Sequence, residues 1–190
     1  MFQTYRQDQT FKKIDFSENP LPKGEYENCT FTNCVFANTD LSNIKFIDSE
    51  FTNCDLTMAK IIITSFQEVK FKACKLLGLH FENCNDFLFS VNFEGCNLNL
   101  ASFYKRKIKK TKFKDCTLVE TDFSETDLNM ATFDNCDLLG ATFDRTNLEK
   151  ADFRTSFNFS IDPERNSLKK AKFSKSELNG LLDKYKLDIE

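Results

Sequence analysis

From Phe11 onward a bulky apolar residue returns at every fifth position, and that spacing excludes the common secondary structures. Five residues of α-helix turn through about 500°, which would scatter these positions around the cylinder. In a strand, an odd step puts alternate members on opposite faces. Only a chain that turns a corner every five residues keeps all of them inside. The phase runs from Phe11 through Phe16, Leu21 and Tyr26 to Phe81. Two inserted residues then shift it. Leu88, Phe93, Leu98, Phe103 and Ile108 carry the new phase as far as Phe153, and Leu168 and Phe173 are still in step.

A longer period lies inside the first. Cys34, Cys54 and Cys74 stand twenty apart, as do Cys96, Cys116 and Cys136. With Cys29 and Cys84, all eight cysteines fall on the position two before a central residue, which is otherwise usually Ala, Thr or Ser. Phe alone recurs along one side, at Phe11, Phe31, Phe51, Phe71, Phe93, Phe113, Phe133, Phe153 and Phe173. Twenty residues per coil at five per side make a four-sided tube in which like side chains stack on like.

The runs Cys54-Asp55-Leu56-Thr57-Met58, Thr126-Asp127-Leu128-Asn129-Met130, Cys136-Asp137-Leu138-Leu139-Gly140 and Ala151-Asp152-Phe153-Arg154-Thr155 carry a recognisable unit. They resemble the pentapeptide-repeat family, whose unit is A(D/N)LXX. The resemblance implies an all-β fold, a right-handed quadrilateral parallel β-helix. It spans one domain over residues 1–190, with coils from about 9 to 178 and a cap over 176–190. A hydrophobic content of 41% supplies one continuous core. At about 4.8 Å per coil, some eight and a half coils give a rod of roughly 40 Å.

Catalysis finds no purchase in this sequence. There is no phosphate-cradling glycine loop, no nucleophile elbow and no histidine beside a nucleophile, His80 being the only one. The cysteines lack CxxC spacing, and parallel Cβ vectors on stacked coils oppose bridging, so they read as small buried thiols. No enzyme activity, cofactor or metal is expected. Asp before a central residue reads as a corner device that accepts backbone hydrogen bonds. Met1–Thr10 is polar, and no apolar run approaches the length of a membrane span, so a cytoplasmic protein without membrane contact is expected.

Departures from the repeat mark candidate sites. Asn19-Pro20-Leu21-Pro22-Lys23-Gly24 loosens an early turn without changing phase. The inserted pair predicts a bulge near 84–87, with Asn85, Asp86 and Phe87 at its tip and Phe87 outward. Ser156–Asn166 breaks the central pattern at Asn158 and Pro163. At the tail, Leu178, Leu181, Leu182 and Tyr185 fall at i, i+3, i+4 and i+7, which predicts an amphipathic α-helix with a Ser174/Glu177 capping box. Leu187 and Ile189 then alternate with acidic residues as a short strand. Leu181, Leu182, Tyr185, Leu187 and Ile189 are the apolar candidates for a lid or an interface.

The net charge of -3 conceals a pattern. Lys105, Arg106, Lys107, Lys109, Lys110, Lys112 and Lys114 form a basic collar, and an acidic belt follows from Asp115 to Asp152 with a local net of -8. In the belt, Asp115, Glu120, Glu125, Asp134, Asp144 and Glu149 lie outside the position that the repeat reserves for Asp or Asn, and they are candidates to face a partner. The collar reads as a solvated face, or as a contact for an acidic partner or nucleic acid.

Within the family, the segments Ser160-Ile161-Asp162-Pro163 and Leu181-Leu182-Asp183-Lys184-Tyr185 resemble the C-terminal part of Qnr-type quinolone-resistance proteins. That resemblance implies a homodimer joined tail to tail. It also implies an acidic rod that mimics DNA on DNA gyrase or topoisomerase IV, shielding the enzyme from quinolone-type inhibitors without binding nucleic acid itself. The long projecting loops of many Gram-negative members are missing. The alternative is a pentapeptide-repeat scaffold with another protein partner.

Overall fold

In the computed structural model, which describes residues 4–188, the chain winds as a parallel β-helix with four faces. The first face is the longest sheet. Thr10–Lys12, Thr30–Thr32, Glu50–Thr52, Val69–Lys72, Val91–Glu94, Lys112–Lys114 and Thr132–Asp134 stack in parallel and in register, Phe over Phe. The fourth face begins as a sheet of Thr4–Gln7, Gly24–Glu27, Lys45–Ile47 and Ser65–Gln67. Its upper half continues through single bridges from Lys107 to Asp127, Asn147 and Ser167. Bridges alone make the other two faces. They run from Asp15 through Val35 and Asp55 to Phe157 on the second, and from His80 through Ser102 and Asp122 to Thr142 on the third.

Most corners follow one rule: the residue two after a central position has positive φ. Asn28, Asn33, Asn38, Asn43 and Asn53 do so at 49–62°, a region that Asn tolerates better than most residues. Asp at the position before the centre then fixes the bend. Asp122, Asp127, Asp137 and Asp152 accept the backbone N–H of Ser124, Asn129, Leu139 and Arg154 at 2.8–3.2 Å. The corner role read from sequence is therefore the observed one.

Inside, the first-face rings stack with centroids 4.6–5.5 Å apart and planes within 20°. They meet the third-face rings edge-on, as Phe93 meets Phe103 at 5.9 Å and 76°, a favoured aromatic geometry. The position two before a centre is most often small for two reasons. It is buried, and its polar atom donates to the carbonyl of the coil below, as Cys54 Sγ does to Phe31 O at 3.3 Å and Thr126 Oγ1 to Phe103 O at 2.8 Å. All eight thiols are buried and free. Desolvation raises the pKa values of Cys29, Cys34 and Cys84.

The tail departs from the helix expected there. Leu178–Leu181 and Asp183–Tyr185 are 3-10 turns, and Glu177 makes no side-chain cap. Ser174 Oγ lies 3.1 Å from Ser176 Oγ, so the capping box is not formed. The reason is that the tail completes the last coil: Gly180 O accepts the N–H of Ile161 at 2.8 Å, which removes it from an intrahelical ladder. Gly180 also passes so close to Phe159 that a Cβ would collide with its carbonyl. So short a segment is a marginal α-helix in any case. The residues up to Asp188 form no strand, and Ile189 lies outside the described residues.

Candidate functional site

The bulge is an arch built on the fourth face. Below it the coils pair twenty residues apart, as Phe51 with Phe71, and across it Val69 pairs with Val91. Asn85 N–H still donates to Thr64 O at 2.9 Å, and the ladder resumes only where Ser90 N–H donates to Phe66 O. Between them Asn85 Oδ1 accepts the N–H of Phe87 at 2.9 Å, and the chain turns outward. Phe87 is 68% exposed, as the sequence suggested. Leu88 is not the core residue expected of it. It sits at a left-handed corner with φ 55° and is 64% exposed, while Phe89 packs against the core instead. Two added residues lengthen the arch enough for the next aromatic to fold back over the vacant central place.

One residue that the sequence reading assigned to the collar holds this arch from within. Arg106 is buried, at the inner position that Thr126 and Thr146 occupy in the coils above. Its guanidinium donates to Cys84 O at 3.1 Å and Asn85 O at 3.2 Å and pairs with the Asp86 carboxylate. It lies 4.1 Å from the centroid of the Phe89 ring, within cation–π range. Arg106 Nε has no hydrogen-bond partner. The collar therefore has a gap, because this cation points inward. The signal was present in the sequence: a charged residue stood at a small inner position one coil above the insertion.

The six belt candidates are distributed around the whole perimeter. Asp134 is on the first face, Asp144 on the third and Glu149 on the fourth, while Asp115, Glu120 and Glu125 are corner residues. Several are neutralised by neighbours. Glu125 meets Arg145 at 2.9 Å and Lys105 at 3.6 Å, and Asp144 meets Arg165 at 2.6 Å and Arg145 at 3.3 Å. Asp115 accepts from Asn135 Nδ2 at 2.7 Å, Asp134 from Thr155 Oγ1 at 2.9 Å and Glu149 from Ser167 Oγ at 3.1 Å. Glu120 has no cation partner among the described residues; it packs against Gly140, whose φ is 68°.

Of the tail candidates, Leu181 is half-buried against the core and serves as a lid. Leu182 is also half-buried, whereas Tyr185 and Leu187 are 50% and 58% exposed. Lys184 ties the tail to the last coil through Asp162 and Glu164, each at 2.7 Å, and the Tyr185 hydroxyl donates to Glu164 at 2.8 Å. Lys184 holds the carboxyl pKa values of both acids below the usual range. Among the described residues no group of three His, Cys, Asp or Glu side chains could hold a metal ion, and no helix is long and apolar enough to cross a membrane.

The coil geometry and the sequence agree on a class. The signature of the pentapeptide repeat region matches residues 24–86 and 87–182, and the chain belongs to the pentapeptide-repeat family. Among solved structures it is similar to a trypsin-treated form of QnrB1, a plasmid-mediated fluoroquinolone resistance protein. The two are 18% identical with a TM-score of 0.66, over 97% of this chain and 99% of that one. It is also similar to HetL, a pentapeptide-repeat protein involved in heterocyst differentiation regulation from the cyanobacterium Nostoc. There the identity is 15% and the TM-score 0.52, over 91% of this chain and 87% of that one. No curated protein matches the sequence.

Proposed function

We propose that this protein is a binding rod without catalytic activity, and that it engages a type II topoisomerase, DNA gyrase or topoisomerase IV, and shields it from quinolone-type inhibitors. The observation that carries the binding reading is the arch. Arg106 holds it from inside the rod, and Phe87 and Leu88 project from it into solvent. An exposed aromatic on a fixed support is the kind of anchor that protein interfaces use. The choice of topoisomerase rests on the likeness to a fluoroquinolone resistance protein over nearly the whole of both chains. The acidic ring, with Glu120 and Glu149 free of ion pairs among the described residues and Asp115 and Asp134 mostly hydrogen-bonded, is the surface assigned to the basic DNA-binding saddle.

A second reading has its own support. Glu125 and Asp144 spend their charge on Lys105, Arg145 and Arg165, which lowers the field that a DNA mimic needs. On that reading the same rod is a scaffold for a different protein. Supercoiling by purified gyrase in ciprofloxacin, with and without the protein, separates the two. Restored supercoiling, weakened by added salt and by neutralising Asp115, Glu120, Asp134 and Glu149 together, is the expected outcome. Neither protection nor inhibition over a wide concentration range would leave the scaffold reading in place.

A further inference from the structure

Charge is ordered around the axis of this rod as well as along it. The edge between the fourth and first faces is a column of corner residues, and in its upper half Lys110, Lys150 and Lys170 stand in line, each with φ near 60°. Lys107 and Lys169 flank them on the fourth face and Lys112 on the first. All six are exposed, and none has a carboxylate within 4.0 Å among the described residues. Their neighbours differ: Lys109 pairs with Asp127, Lys114 with Glu94 and Lys172 with Asp152. Glu149, which precedes Lys150 in the chain and has no cation partner among the described residues, accepts a hydrogen bond from Ser167. On the diagonally opposite edge the unpaired groups are carboxylates, Glu120 at the corner with Asp122 and Asp137 on the adjoining faces. The rod is thus polarised across its width.

We propose that the lysine edge binds the phosphate backbone of duplex nucleic acid. Successive coils are about 4.8 Å apart, so the crest from Lys110 to Lys170 is about 14 Å long. Duplex DNA carries one negative charge per roughly 1.7 Å of axis, and its phosphate rows flank a major groove about 12 Å wide. A convex edge with ammonium groups on its crest and both flanks reaches the two rows at once. Lysine suits this as a point charge for phosphate. No aromatic residue faces outward on these two faces between Lys107 and Lys172, so base stacking and base reading are absent and binding is independent of sequence. A protein partner on the same edge would need a buried apolar anchor, and the crest offers Met130 alone, 44% exposed between lysines. The net charge of -3 opposes general attraction, so binding comes from this edge, with the opposite carboxylates directed away.

This surface is separate from the arch and is tested with the protein alone, so it stands or falls independently of any topoisomerase. A fluorescein-labelled duplex of about 30 base pairs and arbitrary sequence is titrated with the full chain between about 50 and 200 mM salt, and anisotropy is read. Each phosphate contact contributes about -0.9 to the slope of log K against log salt. A slope near -4 to -5 is expected from this edge. Lys110→Glu, Lys150→Glu and Lys170→Glu together should lower affinity more than about tenfold and flatten the slope. Lys12→Glu, Lys13→Glu and Lys60→Glu make the same charge change elsewhere and should stay within about threefold of wild type; circular dichroism checks the fold of both. No binding at the lowest salt would overturn the proposal, as would an equal loss in the two triple variants. Labelled polyglutamate bound as tightly through the same lysines would also overturn it, by making an acidic protein the partner.

Discussion

Most corners of the rod hold one residue in the left-handed region, and the chain fills those places unevenly. Asn and Asp take it with little cost, but Ile63 adopts φ 57° while 56% exposed. A β-branched residue is a genuine outlier there, and the left-handed region costs an L-residue roughly 1–2 kcal/mol. Ile63 gains little burial in return. Ile63→Asn should therefore stabilise the protein by about 1 kcal/mol in urea unfolding. An unchanged or lower midpoint would mean that Ile63 makes contacts the corner geometry does not reveal. At this scale much was legible. Asp before a central residue accepts a backbone N–H, and the cysteines are buried and unpaired. Less visible was that the thiol is also a donor, bonding the carbonyl of the coil below. Spacing reports where a side chain lies and not what its polar atom does.

The arch and the tail show where periodicity stops informing. The phase shift after Phe81 disclosed that two residues were added, but counting could not say how the chain would route them. Phe89 took the inner place because its ring could lie on the Arg106 guanidinium and meet Phe66 and Phe81 edge-on. Leu88 was left outside. At the tail the spacing of Leu178, Leu181, Leu182 and Tyr185 fits a helix, but the last coil's need for a partner at Ile161 decided otherwise. Arg106 is the keystone of the arch. Arg106→Thr, matching Thr126 and Thr146 in its column, should cost about 2–4 kcal/mol, because the buried Cys84 carbonyl and the half-buried Asn85 carbonyl lose charged donors. It should also make the segment 85–90 a cleavage site in limited proteolysis. A variant with wild-type stability and an uncut arch would show that the buried guanidinium is dispensable.

For the whole molecule, the four-sided winding redistributed what looked contiguous. A belt read along the chain became a ring, and its ion pairs join residues one coil apart, as Glu125 with Arg145 and Asp144 with Arg165. Such pairs cannot be seen until residues twenty apart are known to stack. The same winding put six lysines without ion pairs among the described residues on one edge and its flanks, although in sequence they lie in separate segments. The tail remains open to a second copy. Tyr185 and Leu187 are exposed there, while Leu181 is committed to the lid. If two rods join by these ends, Tyr185→Lys with Leu187→Lys should give a folded monomer in light scattering. A wild-type chain that is itself monomeric at high micromolar concentration would rule the junction out.

The family signature divides between residues 86 and 87, within the arch. Above that point the corner column climbs from Lys110 through Met130 and Lys150 to Lys170 without a further insertion. The distance from arch to tail is therefore set in whole steps, each one coil of twenty residues and about 4.8 Å. A lineage that gained or lost a coil here would slide the two ends apart or together like the jaws of a calliper, with both still on their original faces. Any partner gripping both must match a graduation of that scale.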